Sequence, residues 1–324
     1  MKVTRRAFLN HAVGAAALPV IAPAAWAESY PSRPVRVLVG FAAGGAADVS
    51  ARIVGQWLSE RFGRQFVIED RTGAGGNIAT EEVTKASADG YTLLNCASAN
   101  AVNASLYGKL NFDFIHDIAP VAGTVQFPLV LIANPLVPAK TLGEFITYAR
   151  GNPGKINFAS AGTGTAEHLA GELFKMMAGV EMVHVPFRGG APAITALLGG
   201  QVQAYFCATA TAIAGLRAGM RPLAVTTTSP WEGLPNVPTV GESLPGYAVS
   251  LWFGIGAPRN TPSQIIDVLN RTINTGLADS NVKDRFVRLG GSPMAMTASA
   301  FGRFIAEETE KWAKVVHAAR INAT

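Results

Sequence analysis

Two glycine-rich turns carry most of the chemistry that this sequence offers. Gly44 and Gly45 follow an apolar run at 35–39 and precede an amphipathic helical pattern, and Asp48 stands where it can cap that helix. Glycine reaches φ > 0 and lets a ligand approach the backbone closely. Free amides at a helix N-terminus, reinforced by the helix dipole, favour a carboxylate or phosphate without a Lys or Arg. The stretch therefore predicts an anion-binding turn.

The same pattern returns in the second half of the chain. A predicted strand at 156–159 leads into the turn 160–165 and then into a helical pattern with Leu169, Leu173 and Phe174. The candidate residues of this turn are Ser160, Ala161, Gly162 and Thr163. Two such units, one in each of two lobes, would let two helix N-termini face one ligand from opposite sides.

Other loops also follow predicted strands, and ligands in parallel α/β sheets bind beyond the carboxyl ends of the strands. These loops are the glycine-rich segment 71–77 with Gly76, the polar segment 97–100 with Ser98, and the segment 188–191 with Gly189 and Ala191. Each glycine loop also fits an ordinary strand-to-helix connection. Binding becomes the preferred interpretation because the two turns stand at matching places in two predicted lobes.

Signatures of nucleotide binding and of catalysis are missing from the sequence. It has no Gly-x-x-x-x-Gly-Lys-Ser/Thr loop, no complete Gly-x-Gly-x-x-Gly fingerprint and no Gly-x-Ser-x-Gly elbow. The five histidines lack metal-ligand spacing. His168 could reach the cleft, but we favour a hydrogen-bonded scaffold role, and we favour a helix cap over a general base for Asp48. We therefore predict a binding protein with no catalytic residue, no metal and no cofactor.

The first 27 residues have the features of an export signal. Lys2, Arg5 and Arg6 precede an apolar run at 12–25, and the run at 4–9 matches the twin-arginine pattern. We predict cleavage after Ala27 and a periplasmic product; the alternative is a short membrane anchor that stays attached. Cleavage lowers the formal net charge from +5 to +2 by removing three basic residues. The remaining basic residues are scattered, which argues against a nucleic-acid partner.

Strands alternate with helices along the mature chain, which predicts an α/β protein with parallel sheets and crossover helices. With 49% apolar and 15% charged residues, the 324-residue chain can bury a substantial core. After a strand at 129–133, a proline-punctuated connection at 134–138 would carry the chain into a second lobe, and a strand at 251–257 would return it. We expect lobe 1 at 28–127 plus 252–324 and lobe 2 at 128–251.

Local features sharpen this outline. Capping boxes predict helix starts at Thr141 and Thr261. The last helical pattern, 298–319, carries an apolar stripe that we interpret as a docking face. Cys96 and Cys207 each end a predicted strand, and we favour free, buried thiols over a disulfide.

At the glycine-rich turns and the other loops named above, the sequence resembles the Bug family, the extracytoplasmic solute-binding receptors of tripartite tricarboxylate transporters. The resemblance covers essentially the whole mature chain. The matching motifs lie at 30–36, 44–48, 73–78, 152–162, 168–172, 183–189 and 197–202.

The resemblance implies a type II periplasmic-binding-protein fold, two α/β lobes with a ligand cleft between them, closing on a small carboxylate. In this family backbone groups and bridging waters hold the carboxylate. The residues that match by position are Phe41, Ala42, Ala43, Gly44, Gly45, Ser160, Ala161 and Gly162. The Ser98 loop and the loop from Phe187 to Ala191 are the expected specificity elements.

The sequence departs from the family pattern at several positions. Ala43 stands where the family usually has proline, and Phe187 and Arg188 stand where Tyr-Lys is common. Ala196 and Gln203 stand where the family often has acidic residues. The resemblance implies a monomer that serves the membrane subunits of a tripartite transporter. An orphan receptor or sensor component is the first alternative, and a secreted enzyme using the same cleft is the second.

Overall fold

The computed structural model describes residues 30–187 and 189–322, so the predicted signal peptide lies outside the described residues. Within these ranges ten segments form strands: β1 Val35–Val39, β2 Phe66–Asp70, β3 Thr92–Ala97, β4 Ile118–Ala133, β5 Ile156–Ser160, β6 Met182–Pro186, β7 Ala204–Ala208, β8 Arg221–Val225, β9 Ser250–Pro258 and β10 Ser292–Pro293.

The described residues also form twelve helices, which lie between these strands or follow them, and a 3₁₀ turn spans Ala74–Gly76. They are α1 Ala46–Phe62, α2 Asn77–Thr84, α3 Ser98–Leu106, α4 Phe114–Asp117, α5 Leu142–Gly151, α6 Ala166–Ala178, α7 Gly190–Leu198, α8 Thr209–Arg217, α9 Val240–Ser243, α10 Ser263–Ala278, α11 Ser280–Arg288 and α12 Ala298–Ala318. Within the described ranges, none of them is long and apolar enough to cross a membrane.

The strands form two sheet halves that share β4. In the first half β2, β1 and β3 are parallel, and β9 lies antiparallel between β3 and β4. In the second half β6, β5 and β7 are parallel, and β4 pairs antiparallel with β7 and β8. The predicted α/β class is confirmed. The expectation of parallel sheets holds for β1 to β3 and for β5 to β7, and it is wrong at β4, β8 and β9, which pair antiparallel with their neighbours where the two halves join.

β4 is much longer than the strand predicted at 129–133. Its first part pairs with β9 up to Pro128, and its second part pairs with β7 from Leu129 onward. Pro120 and Gly123 interrupt the strand pattern in the sequence of the first part. In the structure the pairing register shifts beside both residues, as at β-bulges. The carbonyl oxygen of Met294 would lie 2.7 Å from a Cβ atom at position 123, so glycine lets β10 pack there.

Apolar stripes fix the helices on the sheets as predicted. α1 buries Ile53 and Trp57, and α6 buries Leu169, Leu173 and Phe174. α12 contacts α3, β4 and α6, which makes its stripe a docking face across both sheet halves. We keep the lobe limits as a proposal: 28–127 with 252–324, and 128–251. The exchange of β4 partners after Pro128 supports them.

Local predictions had mixed outcomes. Cys96 and Cys207 are free and buried, as predicted. Thr141 caps α5 by accepting a hydrogen bond from the Glu144 amide. The capping box at Thr261 is wrong, because Pro262 occupies the N-cap of α10 and no side chain caps that helix.

Candidate functional site

A cavity of about 710 Å³ opens between the two sheet halves, at the carboxyl ends of β1, β3 and β5. Its lining comes from the β1–α1 turn, α3, the β5–α6 turn, the start of β9 and α12. No described side chain that lines it is charged. The lining residues are Phe41, Ala42, Ala43, Gly44, Gly45, Ala46, Ala47, Gly75, Ala97, Ser98, Ala99, Val102, Asn103, Leu106, Tyr107, Thr163, Gly164, Thr165, Ala166, Leu169, Ser250, Leu251, Phe253 and Trp312.

Three helices begin at this cavity. Ala46 opens α1, Ser98 opens α3 and Ala166 opens α6, and each of these residues lines the cavity. The N-cap of α1 is Gly45, which makes no side-chain capping bond. Helix starts present free amides and a partial positive charge. The backbone therefore makes this cavity attractive to an anion without a basic side chain.

The β1–α1 turn is held by Asp48. Gly44 has φ +78°, and its amide donates a 2.7 Å hydrogen bond to Asp48 Oδ2. Arg52 Nε lies 2.6 Å from Asp48 Oδ1 and neutralises a side chain that is only 3% exposed. The prediction that Asp48 is the helix cap is therefore wrong in detail: Gly45 is the N-cap, and Asp48 folds back from the first turn to fix Gly44.

The β5–α6 turn is held by a hydroxyl network behind it. Ser160 Oγ accepts a 3.1 Å hydrogen bond from the Gly162 amide and lies 2.6 Å from His184 Nε2. Thr165 Oγ1 donates to the Gly162 carbonyl at 2.7 Å. Ser160 is fully buried, so it braces the turn from the side away from the cavity.

Glu167 is a site-adjacent residue that the sequence interpretation missed. The Ala161 amide donates to Glu167 Oε2 at 2.9 Å, and the Tyr205 hydroxyl donates to Oε1 at 3.2 Å. Burial raises the pKa of the Glu167 carboxyl, although these hydrogen bonds oppose the shift. Among the described residues, no basic side chain forms an ion pair with it. The sequence feature that could have indicated Glu167 is its position as an acidic residue in the first turn of α6, like Asp48 in α1.

Two histidine rings stack behind the same turn. The His168 and His184 ring centroids lie 3.6 Å apart with an interplanar angle of 10°. His168 Nδ1 accepts a 3.0 Å hydrogen bond from the Gly164 amide, which supports the scaffold interpretation of that residue. Burial, helped by the charge of His168, lowers the pKa of His184 to about 4, so its ring is neutral at pH 7.

The structure brings part of the predicted site together. Seven predicted residues line the cavity: Phe41, Ala42, Ala43, Gly44, Gly45, Ser98 and Thr163. Eight do not line it: Asp48, Gly76, Ser160, Ala161, Gly162, Phe187, Gly189 and Ala191.

Most residues of the second group hold the neighbouring turns in place. Gly76 packs against Gly40, whose added Cβ atom would lie 2.5 Å from the Gly76 Cα. The Phe187 amide donates to the Ser160 carbonyl, and the Gly189 amide donates to the Ala161 carbonyl, so this loop is fastened to the turn. Ser98, predicted in a polar loop, instead begins α3.

Comparison with known proteins decides the family. Residues 50–321 match the family described as "Tripartite tricarboxylate transporter family receptor". The chain is 36% identical to Protein BugT of Bordetella pertussis over 294 residues, which cover 90% of each chain. This chain belongs to the tripartite tricarboxylate transporter receptor family. The receptor is therefore a periplasmic-type solute-binding protein and not an enzyme, as the sequence resemblance implied.

Solved structures of relatives share the receptor's fold. Rpa4515 of R. palustris, solved with adipate, is 35% identical with a TM-score of 0.75 over 90% of this chain and 99% of that one. MatC of Rhodopseudomonas palustris, solved with bound malate, is 32% identical with a TM-score of 0.71 over 89% of this chain and 100% of the other.

Proposed function

We propose that this receptor captures a small carboxylate in the cavity between its sheet halves and delivers it to the membrane subunits of a tripartite tricarboxylate-type transporter. The observation that carries the proposal is the meeting of three helix starts in a cavity whose described lining contains no charged side chain. Amides and helix dipoles stabilise a carboxylate in such a place. The adipate and malate in the relatives' structures support the same ligand class.

The proposed ligand contacts are the backbone of the β1–α1 turn, the start of α3 at Ser98 and the segment of the β5–α6 turn from Thr163 onward. Asp48, Ser160 and Glu167 act behind these contacts by fixing the turns. The receptor works in the periplasm as a monomer, after cleavage of its export signal behind Ala27.

A thermal-shift screen of aliphatic, aromatic and multiply charged carboxylates tests the proposal. A true ligand at about a hundred times its dissociation constant should stabilise the mature protein by roughly 2.7 kcal/mol. The uncharged amides of the same compounds serve as controls and should give no shift. A screen in which no carboxylate stabilises the protein more than its amide would overturn the proposal.

A pair of serine variants locates the site. Ser98→Asp places a carboxylate at the start of α3 inside the cavity, where it would repel the ligand. Ser263→Asp is the matched control, because Ser263 also opens a helix but is exposed and lies outside the cavity. Calorimetry should show loss of binding for S98D alone; equal affinities would remove the α3 start from the site.

A further inference from the structure

Two rows of side chains at α3 line the cavity, and they differ in polarity. Val102 and Leu106, four residues apart, form an apolar row. Asn103 and Tyr107, also four residues apart, form a polar row beside it, with Tyr107 directly after the last residue of the helix. Residues at this spacing lie on the same face of a helix. A ligand lying along α3 therefore meets carbon on one side and hydrogen-bonding groups on the other.

The rest of the described lining also contains both kinds of side chain. Leu169 on α6, Leu251 and Phe253 on β9 and Trp312 on α12 add apolar surface. The other polar side chains are Ser98, Thr163, Thr165 and Ser250. The first three of these belong to the helix starts and turns where we place the carboxylate. Away from the helix starts, the polar groups of the described lining are therefore Asn103, Tyr107 and Ser250.

The Asn103 amide is held in one orientation. Its Nδ2 donates 2.9 Å hydrogen bonds to the Gly75 carbonyl and to Asn77 Oδ1. Because both partners are acceptors, the NH₂ group must face them, and Oδ1 is left to accept from another group. Within the described part of the chain, no group donates to this oxygen. Asn103 is only 3% exposed, and a buried acceptor is stabilised when a ligand supplies a donor.

The Tyr107 hydroxyl lies beside this acceptor. A Cβ atom added to Gly75 would lie 3.3 Å from the Tyr107 hydroxyl oxygen and 3.4 Å from Asn103 Oδ1, so both oxygens border the same small space. Gly75 has φ +63° and no side chain, which keeps that space open. The Tyr107 hydroxyl forms no hydrogen bond with a described residue, and it can donate or accept, whereas Asn103 Oδ1 only accepts. The matching ligand group donates one hydrogen bond and accepts another, as a hydroxyl group does.

Resting on the proposed function, we infer that the ligand carries a hydroxyl group at the end away from its carboxylate, and that Asn103 and Tyr107 are the specificity-determining residues that bind it. The ligand hydroxyl donates to Asn103 Oδ1 and accepts from the Tyr107 hydroxyl, while the carbon chain lies against Val102 and Leu106. Asn103 follows Ser98 by five residues, about 8 Å along the helix axis, and a chain of about six atoms spans this separation. An ammonium group is not matched, because the described lining contains no acidic side chain.

6-Hydroxyhexanoate and heptanoate test the inference, because they have the same number of non-hydrogen atoms and differ by a hydroxyl in place of a methyl group. Calorimetry on the mature protein should give the hydroxy acid at least tenfold tighter binding, whereas an apolar wall would favour heptanoate. 6-Aminohexanoate should bind at least tenfold more weakly than the hydroxy acid. 3-(4-Hydroxyphenyl)propanoate and 3-(4-methylphenyl)propanoate form the corresponding aromatic pair and should rank in the same order.

A tyrosine pair locates the hydroxyl site. Tyr107→Phe should narrow the affinity ratio of 6-hydroxyhexanoate to heptanoate at least fivefold, because it removes one hydrogen-bonding group. Tyr148→Phe is the matched control and should keep the wild-type ratio, because Tyr148 is also half-buried and lies outside the cavity. Asn103→Leu should narrow the ratio at least as much as Y107F, whereas a merely structural role of Asn103 would weaken both acids alike. Thermal melts check that the variants fold, and the wild-type ratio tests the inference even if N103L does not.

Three outcomes separate the inference from the proposed function. Heptanoate binding as tightly as 6-hydroxyhexanoate, or 6-aminohexanoate binding more tightly, would overturn the inference and leave the proposed function standing. A screen in which other carboxylates bind and neither hydroxy acid does would have the same meaning. Failure of every carboxylate would overturn both.

Discussion

The β1–α1 and β5–α6 units have the same architecture and opposite electrostatics. In each, a buried strand enters a glycine turn, and an acidic residue from the first turn of the helix folds back to accept a turn amide. Asp48 in the first unit is neutralised by Arg52, whereas Glu167 in the second has no ion-pair partner among the described residues. The comparison shows that one local fold carries a neutralised acid in the first unit and an acid without an ion-pair partner among the described residues in the second.

The two units also differ in how closely the helix packs on the sheet. An added Cβ atom at Gly171 of α6 would lie 2.1 Å from the Phe158 ring, which is fully buried. At Gly55 of α1 it would lie 2.9 Å from the terminal methyl group of Ile68, a flexible neighbour. The second unit therefore tolerates less change than the first.

The largest effect is expected from Gly171→Ala. Overpacking against the Phe158 ring should cost about 3 kcal/mol, more than the gain of about 1 kcal/mol in helix propensity. Gly55→Ala is the matched control and should change the free energy of unfolding by less than about 1 kcal/mol, because the Ile68 methyl group can move. Urea denaturation measures both. Equal destabilisation would show that the two helices pack alike.

Acidification should destabilise the second unit next most strongly. His184 faces Ser160 on β5 and His168, Glu172 and Lys175 on α6. Its pKa falls from 6.5 to about 4 on folding, so the unfolded chain takes up the proton first and stability is lost as the pH falls from 6.5 towards 4. The shift corresponds to about 2 kcal/mol after allowance for a half-buried ring.

His184→Asn should flatten this loss, as measured by denaturation between pH 7.5 and pH 4.5. His317→Asn is the control, because His317 is exposed near the end of α12. The first unit, residues 35–62, contains no histidine. If the stability of H184N depends on pH as that of wild type does, the histidine stack is not the cause of the acid sensitivity.

The local parts of this comparison could be predicted from the sequence, and the long-range parts could not. Glycines and helical stripes are readable within about twenty residues, so both turns and their helices were found. Trp312 and Leu251 reach the cavity from distant segments, and their apolar character alone indicates only burial. The role of Glu167 depends on where α6 rests relative to Ala161 and Tyr205. The first part of β4 was missed because proline and glycine interrupt its pattern.

Replacing each turn acid by its amide tests the electrostatic difference. Asp48→Asn should cost about 1.5 kcal/mol, because a buried, ion-paired acceptor loses its charge. Glu167→Gln should be neutral or stabilising at pH 8, since it removes an ionised carboxylate whose pKa is raised by burial.

The sign of the Glu167 effect depends on pH. Because folding raises the pKa of Glu167, the folded state holds the proton more tightly, and stability falls as the pH rises from the unfolded value of about 4.3 through the folded one. The advantage of E167Q should therefore be greatest at pH 8 and vanish near pH 4. A loss of stability in E167Q equal to that of D48N at pH 8 would mean that both acids are neutralised alike.

The smallest effect is expected from Arg52→Gln, which gives the first unit the unpaired acid of the second. Arg52 is 52% exposed, and ion pairs of this kind contribute about 0.5 kcal/mol. This difference in the free energy of unfolding between R52Q and wild type should shrink in 1 M NaCl, because salt screens exposed charges.

The affinity of R52Q for a carboxylate should also fall, since the unpaired Asp48 would set a negative charge behind the Gly44 turn. Lys85→Gln is the control, because it removes an exposed cation that pairs with Glu81 away from the cavity, and the affinity of this variant should match that of wild type. If R52Q also binds as tightly as wild type, neutralisation of Asp48 is not what distinguishes the two turns.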